Sequence, residues 1–513
     1  MRWFIQGFGQ LLAPIAQRFY RALKSPQLTQ RRVQQDICDR LIASQYGQTL
    51  GIRAIADWHQ IPIVTYDDLE PWILPSPHSI SRSSLTSEPI LFYEKTSGTS
   101  GTAKWVPYTR SLRRSFNQMF CVWAHDLISR GPAFATGKIY FSISPQFSGC
   151  VNDRSGLLPT LQSTGLKDDS QYLDHWLQLL LSPFLVSPPS VRELRTPESF
   201  KWQLCRTLLE AERLETISIW SPSFLTILLD FIHRHRQELR QGLHISASRS
   251  RLLDEPEIPW IELWPELKLI SCWDSVTSAD PAAGLRVRFP GVLVQGKGLL
   301  ATEAPMTLPL IAAQGYVPIL DEVFFEFEDQ TGDIHLLHEL QIGENYTIIL
   351  SQKGGLYRYR IGDRVRVTHF YRNTPCLEFL GRSQGVSDLV GEKLSETLVQ
   401  KVLQSLGLET AFFKCLMPVM QPQPHYVLLL EQSQLDAATL AYRLDDLLCQ
   451  LPHYRHARLL GQLAPAQVYI HDRIPEILTQ YRYGSVNGWG DIKHSVLVRD
   501  ILPLHFPEID LRS

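Results

Sequence analysis

Apolar positions recur every four residues at Leu11, Ile15 and Phe19 in the opening segment MRWFIQGFGQLLAPIAQRFYRALK, a spacing that predicts an amphipathic helix packed on a core. Val33, Ile37 and Leu41 repeat the pattern in a second helix, with Thr29 placed to cap its start and Gly47 to stop it. Two Pro/Ser-rich stretches, Pro75 to Pro89 and Ser182 to Pro197, read as long connections. From Ile90 the period changes. Ile90 to Tyr93 reads as a short strand, followed by a Gly/Ser/Thr loop and a helix striped by Leu112, Phe116, Phe120, Trp123 and Leu127. Short apolar runs at Ile139–Ile143, Ile217–Trp220, Leu267–Ser271 and Val292–Gln295 then alternate with helical stretches, as in an α/β sheet.

Between Val323 and Phe370 the runs VFFEFE, IHLLH, YTIIL and RVRVTHF follow one another with no room for helices, so this block should be antiparallel. After Gly381 a smaller α/β unit is expected. It has helices near Leu394–Leu406 and Leu435–Gln450, strands around Phe412 and Val427, and a loop broken by Pro422 and Pro424. The fold class is therefore α/β. A large N-terminal domain of mixed sheets and helices spans 1–381, a smaller C-terminal domain spans 389–513, and the boundary falls in 382–388.

The chain has 513 residues, and 50 Lys+Arg against 52 Asp+Glu leave a net charge of −2. That balance offers no cationic excess for nucleic acid or an anionic membrane, so neither is expected as a partner. The opening segment has no unbroken apolar run long enough to span a bilayer and no small-residue cleavage site, so stable membrane insertion is not expected. Eight cysteines lie scattered, with no CxxC pair and no nearby His at ligand spacing, the usage of a reducing, cytoplasmic compartment.

The strongest candidate for chemistry is Thr96-Ser97-Gly98-Thr99-Ser100-Gly101-Thr102-Ala103-Lys104, read as lying between a strand and a helix. Glycines let backbone N–H groups approach an anion, Ser and Thr hydroxyls add donors, and Lys104 adds a charge at the helix entrance. The spacing is not that of a Walker loop. An ordinary Ser/Gly loop is the alternative.

EKTSGTSGTAK resembles the phosphate loop of the adenylate-forming superfamily, and further elements follow in that superfamily's order. Ala301-Thr302-Glu303 resembles the Thr–Glu element whose carboxylate accompanies magnesium. Tyr359-Arg360-Ile361-Gly362-Asp363 resembles the Tyr-x-x-Gly-Asp element whose Asp grips the ribose. Gly381-Arg382 and Gly391-Glu392-Lys393 resemble the hinge and the loop beyond it. The wording of TYDDLEPWI (65–73), QGKGLLATEA (295–304), GLYRYRIGD (355–363) and HYRHARLLGQL (453–463) resembles bacterial members of the auxin-responsive acyl-acid amido synthetases, the Gretchen Hagen family.

The resemblance implies an ATP- and Mg2+-dependent ligase that converts a small carboxylic acid to an acyl-adenylate with release of pyrophosphate. The acyl group then passes to an amine, typically an amino acid. It implies nucleotide-binding roles for Thr96, Ser97, Gly98, Thr99, Ser100, Gly101, Thr302, Tyr359 and Asp363, and a metal role for Glu303. Lys104 would stabilise the departing pyrophosphate. Lys493, in Gly490-Asp491-Ile492-Lys493, or Lys393 would be brought to the adenylate by a mobile C-terminal domain, with the active site in the cleft between the domains.

Two features depart from the superfamily pattern: Leu299-Leu300 stand where many relatives place an adenine-stacking aromatic, and Gln384 stands at a hinge position that is often Asp. Phe116, Phe120, Trp123 and the segment Trp220–Phe224 are candidates for the acid pocket, although aromatics at helical spacing are more often plain core. Arg113 and Arg114 are expected to face water, and His453 and His456 carry no nucleophile–base spacing. An acid–thiol ligase serving coenzyme A or a carrier protein would share every one of these motifs. A non-catalytic nucleotide-binding relative is the reading from a different class.

Overall fold

Helix α1 (Arg2–Ala22) buries Ile5, Gly9, Leu12, Ala16 and Phe19, a stripe one position away from the expected one, and Leu11 is 60% exposed. The stripe is set by α5 (Arg110–Arg130), whose Ile128 side chain lies so close to Gly9 that a Cβ there would meet it at 2.7 Å. Helix α2 (Pro26–Ile42) buries Val33, Ile37 and Leu41 as expected. Its cap is not Thr29: Ser25 precedes Pro26 at the first helical position, and the Thr29 hydroxyl donates back to the Ser25 carbonyl at 2.9 Å. Gly47 does not end α2 either. It lies inside the short helix α3 (Gln45–Thr49), where a Cβ would come within 2.0 Å of the Leu41 carbonyl oxygen.

The computed structural model describes residues 1–73, 84–96, 104–142, 181–188, 197–382, 386–408, 414–471, 474 and 496–498. They fall into two compact units, one taking in Met1–Thr96 and Lys104–Ser383, the other Gln384–Ser513.

In the first unit, helix α4 (Tyr66–Ile73) precedes the antiparallel pair β1 (Ile90–Thr96) and β2 (Lys104–Thr109). Strands β3 (Lys138–Phe141), β4 (Leu214–Ser218), β5 (Leu269–Cys272) and β6 (Leu293–Gly296) form a wholly parallel sheet in sequence order. Two small hairpins follow: β7 (Leu300–Ala301) with β8 (Ala304–Pro305), and β9 (Thr307–Leu310) with β10 (Gly315–Pro318).

The antiparallel block is a five-stranded sheet in the order β12 (Ile334–Leu336), β11 (Val323–Glu328), β13 (Asn345–Gln352), β14 (Tyr359–Tyr371), β15 (Thr374–Arg382). Gln30 of α2 ties the helix to this sheet. Its amide donates to the carbonyls of Leu320 and Val323 at 2.7 and 2.8 Å, and its oxygen accepts from the Phe325 N–H at 2.8 Å.

In the second unit, β18 (Lys414–Val419) pairs antiparallel with β19 (His425–Leu430), and β19 pairs parallel with β20 (Gln467–Ile470); β16 (Val386–Ser387) and β17 (Leu394–Ser395) make a short hairpin. Helices Glu396–Ser405, Ala437–Leu448 and Pro452–Leu460 enclose a core of Leu403, Tyr426, Leu428, Leu444 and Tyr454.

Two adjacent buried carboxylates stand where α1 and α5 meet the large sheet. Glu322 accepts from Ser115 at 2.9 Å and Lys353 at 2.8 Å, whereas Asp321 accepts from Gln118 at 2.7 Å and among the described residues has only Arg18, at 3.7 Å, as a cation within ion-pair distance. Burial first, and Glu322 next, push the Asp321 carboxyl up to about 7. An unfolded Asp titrates near ~3.9. Between about pH 4 and 7 the folded chain therefore keeps a proton that the unfolded chain releases, and stability falls as the pH rises across that window. Asp321→Asn should melt several degrees above the wild type at pH 8, with the gap closing towards pH 4. Calorimetric melts across that range would show it, and a gap independent of pH would contradict the assignment.

Candidate functional site

The loop after Thr96 joins two strands, not a strand and a helix. Lys104 opens β2, opposite Thr96 of β1, and α5 begins only at Arg110, where the Thr109 hydroxyl accepts from the Leu112 N–H. Trp105, Val106 and Tyr108, residues that favour pleated structure, fill the intervening turns of chain. Ser97, Gly98, Thr99, Ser100 and Gly101 lie outside the described residues, as do Gln384 and Lys493.

Lys104 is half-buried, its Nζ lying 5.2 Å from the centroid of the Tyr66 ring, and the Tyr66 hydroxyl accepts from the Trp105 N–H at 2.7 Å. Burial pushes the Tyr66 phenol up to about 12. The Lys104 ammonium is held below the usual lysine range, first by burial and then by Arg382, against the opposing charges of Glu303 and Asp67.

Thr302 and Glu303 are the two turn residues of the β7–β8 hairpin, fixed to the end of β2 because the Tyr108 hydroxyl donates to the Thr302 carbonyl at 2.8 Å. Glu303 is half-exposed and makes no hydrogen bond or ion pair among the described residues. Tyr359 opens β14 and is 2% exposed; burial, and after it Glu303, hold its phenol well above the ordinary range. Gly362 adopts φ +88° where the pairing of β13 with β14 breaks register, a bulge that a residue with a Cβ would strain. Asp363 follows it, 4% exposed, with the Arg382 Nε 3.0 Å from its Oδ1 across the β14–β15 ladder.

The other half of GLYRYRIGD is scaffold. Arg358, at φ +46°, forks onto Glu326 with two contacts of 2.9 Å and donates to the Ile61 carbonyl at 2.7 Å, and Arg360 pairs with Glu328 at 2.5 Å.

Lys104, Glu303, Tyr359 and Asp363 therefore share one electrostatic neighbourhood within the first unit, joined by Tyr66 and Arg382. Neither stands out in the sequence as a site residue: Tyr66 lies in TYDDLEPWI, which resembles the family only in its wording, and Arg382 lies where the hinge is expected. Lys393 belongs to the second unit. It adopts φ +51°, beside a buried Glu392 whose carboxylate accepts from the N–H groups of Leu389 at 2.7 Å and Val390 at 2.8 Å and from the Tyr426 hydroxyl. Burial and then Lys393 push the His453 imidazole down to about 4. His456 is lowered by burial as well, so both rings are neutral near pH 7.

Of the acid-pocket candidates, Phe116 is core, stacked on Tyr108 with ring centroids 5.9 Å apart, while Phe120 and Trp123 are only partly buried. Trp220 packs against Trp273 at 5.8 Å and lies under the Lys297 ammonium at 5.0 Å. Among the described residues no group of three or more His, Cys, Asp or Glu is placed to hold a metal ion, and no helix is long and apolar enough to cross a membrane.

Three family models match the chain: the GH3 family N-terminal domain at residues 15–258, the GH3 family central domain at 316–382 and the GH3 family C-terminal domain at 394–500. Curated relatives include an indole-3-acetic acid-amido synthetase, GH3.2, of Arabidopsis thaliana, 22% identical over 74% of this chain and 78% of that protein. A jasmonoyl-L-amino acid synthetase, JAR4, of Nicotiana attenuata is 25% identical over 78% of each. Among solved structures, the AtGH3.15 acyl acid amido synthetase in complex with 2,4-DB matches 95% of this chain and 94% of its own at a TM-score of 0.60 and 18% identity. A 2-hydroxyisobutyryl-CoA ligase with its acyl-adenylate and coenzyme A matches 93% and 89% at a TM-score of 0.57 and 14% identity. These structures share the fold, an α/β architecture of several sheets and helices.

Proposed function

The chain belongs to the GH3 family, and from that premise we propose that it is an ATP-dependent ligase that activates a carboxylic acid as its acyl-adenylate and passes the acyl group to an amine, an amino acid above all. The observation that carries the reading is the grouping of Lys104, Glu303 and the Asp363–Arg382 pair around one place in the first unit. Chemically, that set suits a nucleotide. Asp363 can accept from both ribose hydroxyls, with the Arg382 guanidinium beside it. Lys104, with the loop from Thr96 to Gly101, supplies donors and charge to the phosphates as pyrophosphate departs. Thr302 and Tyr359 shape the nucleotide's surroundings.

Mg2+ suits Glu303, because this cation needs only one or two protein carboxylates when phosphate oxygens complete its shell, and it would neutralise charge on the triphosphate. Residues 1–381 are proposed as the adenylating domain and 389–513 as a smaller mobile domain that carries Lys393 and Lys493. A bacterial source and a cytoplasmic location complete the proposal. The seven described cysteines, all free, suit a reducing compartment.

The test has two steps. Acid-dependent exchange of pyrophosphate into ATP across a panel of acids should identify an activated acid. With that acid and ATP, an amino-acid panel should yield amide and AMP. Formation of a thioester with coenzyme A, and of no amide, would replace this reading with that of an acid–thiol ligase.

A further inference from the structure

Beneath α1 lies a cavity of about 130 Å³, walled by α1, α5 and one face of the parallel sheet. Phe8 and Leu12 of α1, Phe120 and Trp123 of α5, Phe141 of β3 and Phe184 line it, and no charged side chain does so among the described residues. Protein interiors retain few voids larger than a water molecule. A dry cavity of about 150 Å³ lined by Leu, Ile and Phe is large enough to take up benzene. This one therefore has room for a group of roughly six carbons.

Helix α5 touches both the cavity and the surroundings of the site described above. At the N-terminal end of that helix, Phe116 and Tyr108 pack with Leu300 of the β7–β8 hairpin. Two turns further on, about 10 Å at 1.5 Å per residue, Trp123 faces the cavity while its Nε1 donates to Gln295 of β6 at 2.9 Å. Residue 295 begins the segment that runs on to Thr302 and Glu303. At the other end Phe4, 45% exposed, stacks on Phe184 with centroids 5.3 Å apart, so one wall of the cavity is an aromatic pair reaching the surface.

We propose that this cavity holds the hydrocarbon end of the acid that the enzyme activates, and that the acid is an extended aliphatic carboxylic acid rather than a compact one. The proposal rests on the ligase reading and specifies its substrate class. A carboxylate reacting near Glu303 would send its chain along the Phe120–Trp123 face of α5, and burying each methylene in so apolar a lining favours binding about fourfold.

Pyrophosphate exchange measured over straight-chain acids from butanoate to dodecanoate, with benzoate as the compact comparison, should show kcat/KM climbing a few-fold per methylene to an optimum well above butanoate. Ala124→Phe, which fills the cavity from α5, should move the optimum to shorter acids and cut the longest by more than tenfold, with the KM for ATP unchanged. Phe8→Ala, which enlarges it from α1, should move the optimum the other way. A flat chain-length profile, or equal losses for all acids in both variants, would overturn the proposal and leave the ligase standing. Exchange with other acids of the wider panel but with none of these overturns the proposal alone; if no acid of either panel supports exchange, the ligase reading itself has failed. Calorimetry with 1-octanol then judges the cavity alone: binding that Ala124→Phe abolishes retains an apolar ligand site, and absence of binding removes it.

Discussion

Lys104→Ala should lower the turnover of acid-dependent pyrophosphate exchange by about 10²–10³, roughly 3–4 kcal/mol of transition-state stabilisation, while the melting temperature barely moves. The two effects separate because the lysine contributes little to the fold. Among the described residues it lies 5.2 Å from the centroid of the Tyr66 ring, a contact worth about 0.5–2 kcal/mol. Against that contact, burial and the like charge of Arg382 already disfavour the ammonium. Departing pyrophosphate adds its negative charge to that of Glu303 and Asp67, so the interaction strengthens as the reaction proceeds. Lys104→Arg should not restore the rate, since a broad planar fork cannot replace a compact point charge beside an aromatic face. Separate measurement of kcat and KM for ATP tests the idea, and wild-type turnover in the alanine variant would remove Lys104 from the chemistry.

Glu215→Ala should destabilise the protein by about 3–5 kcal/mol. Glu215 lies on β4 and is wholly buried. Its carboxylate accepts from the N–H groups of Ala135 at 2.6 Å, Thr136 at 2.9 Å and Gly137 at 2.7 Å, and from the Lys268 ammonium at 2.7 Å. Burial raises its pKa, yet Lys268 and the three N–H donors outweigh it and hold the carboxyl below the usual range. The stability it supplies is therefore present above the unfolded glutamate pKa and is lost as the pH falls through the folded value. Alanine would leave three N–H groups without an acceptor at the point where the chain enters β3, and would take from Lys268 its buried counter-charge, leaving it the Ala133 carbonyl at 2.6 Å. Urea unfolding at neutral pH measures the cost, and a loss below about 1 kcal/mol would mean that water satisfies those donors in the variant.

The alternation of short apolar runs with helical stretches made the parallel sheet legible, and the crowding of strands from 323 to 370 did the same for the antiparallel one, because both signals are periods within short windows. Features that depend on distant neighbours were not. Which face α1 buries is decided by Ile128 of α5, so Leu11 satisfied the spacing and still lies in solvent. Strand β2 escaped notice because six residues beside a Gly/Ser loop carry too little period to show, and its pairing with β1 exists only once the loop has closed. Asp363 was readable from its motif. Arg382, the group that faces it, was not, since the two lie far apart in sequence and only the β14–β15 register brings them together.

The two arginines in GLYRYR have a consequence for evolution in this fold. Arg358 and Arg360 are tied to Glu326 and Glu328 and belong to the architecture, whereas Asp363 is the residue we propose for the ribose. A descendant that had given up catalysis would still keep the buried Arg358–Glu326 fork and would be free to drift at the aspartate. Recognition by the whole motif would score such a pseudoenzyme as active, and the residue after the bulge glycine is the one that would betray it.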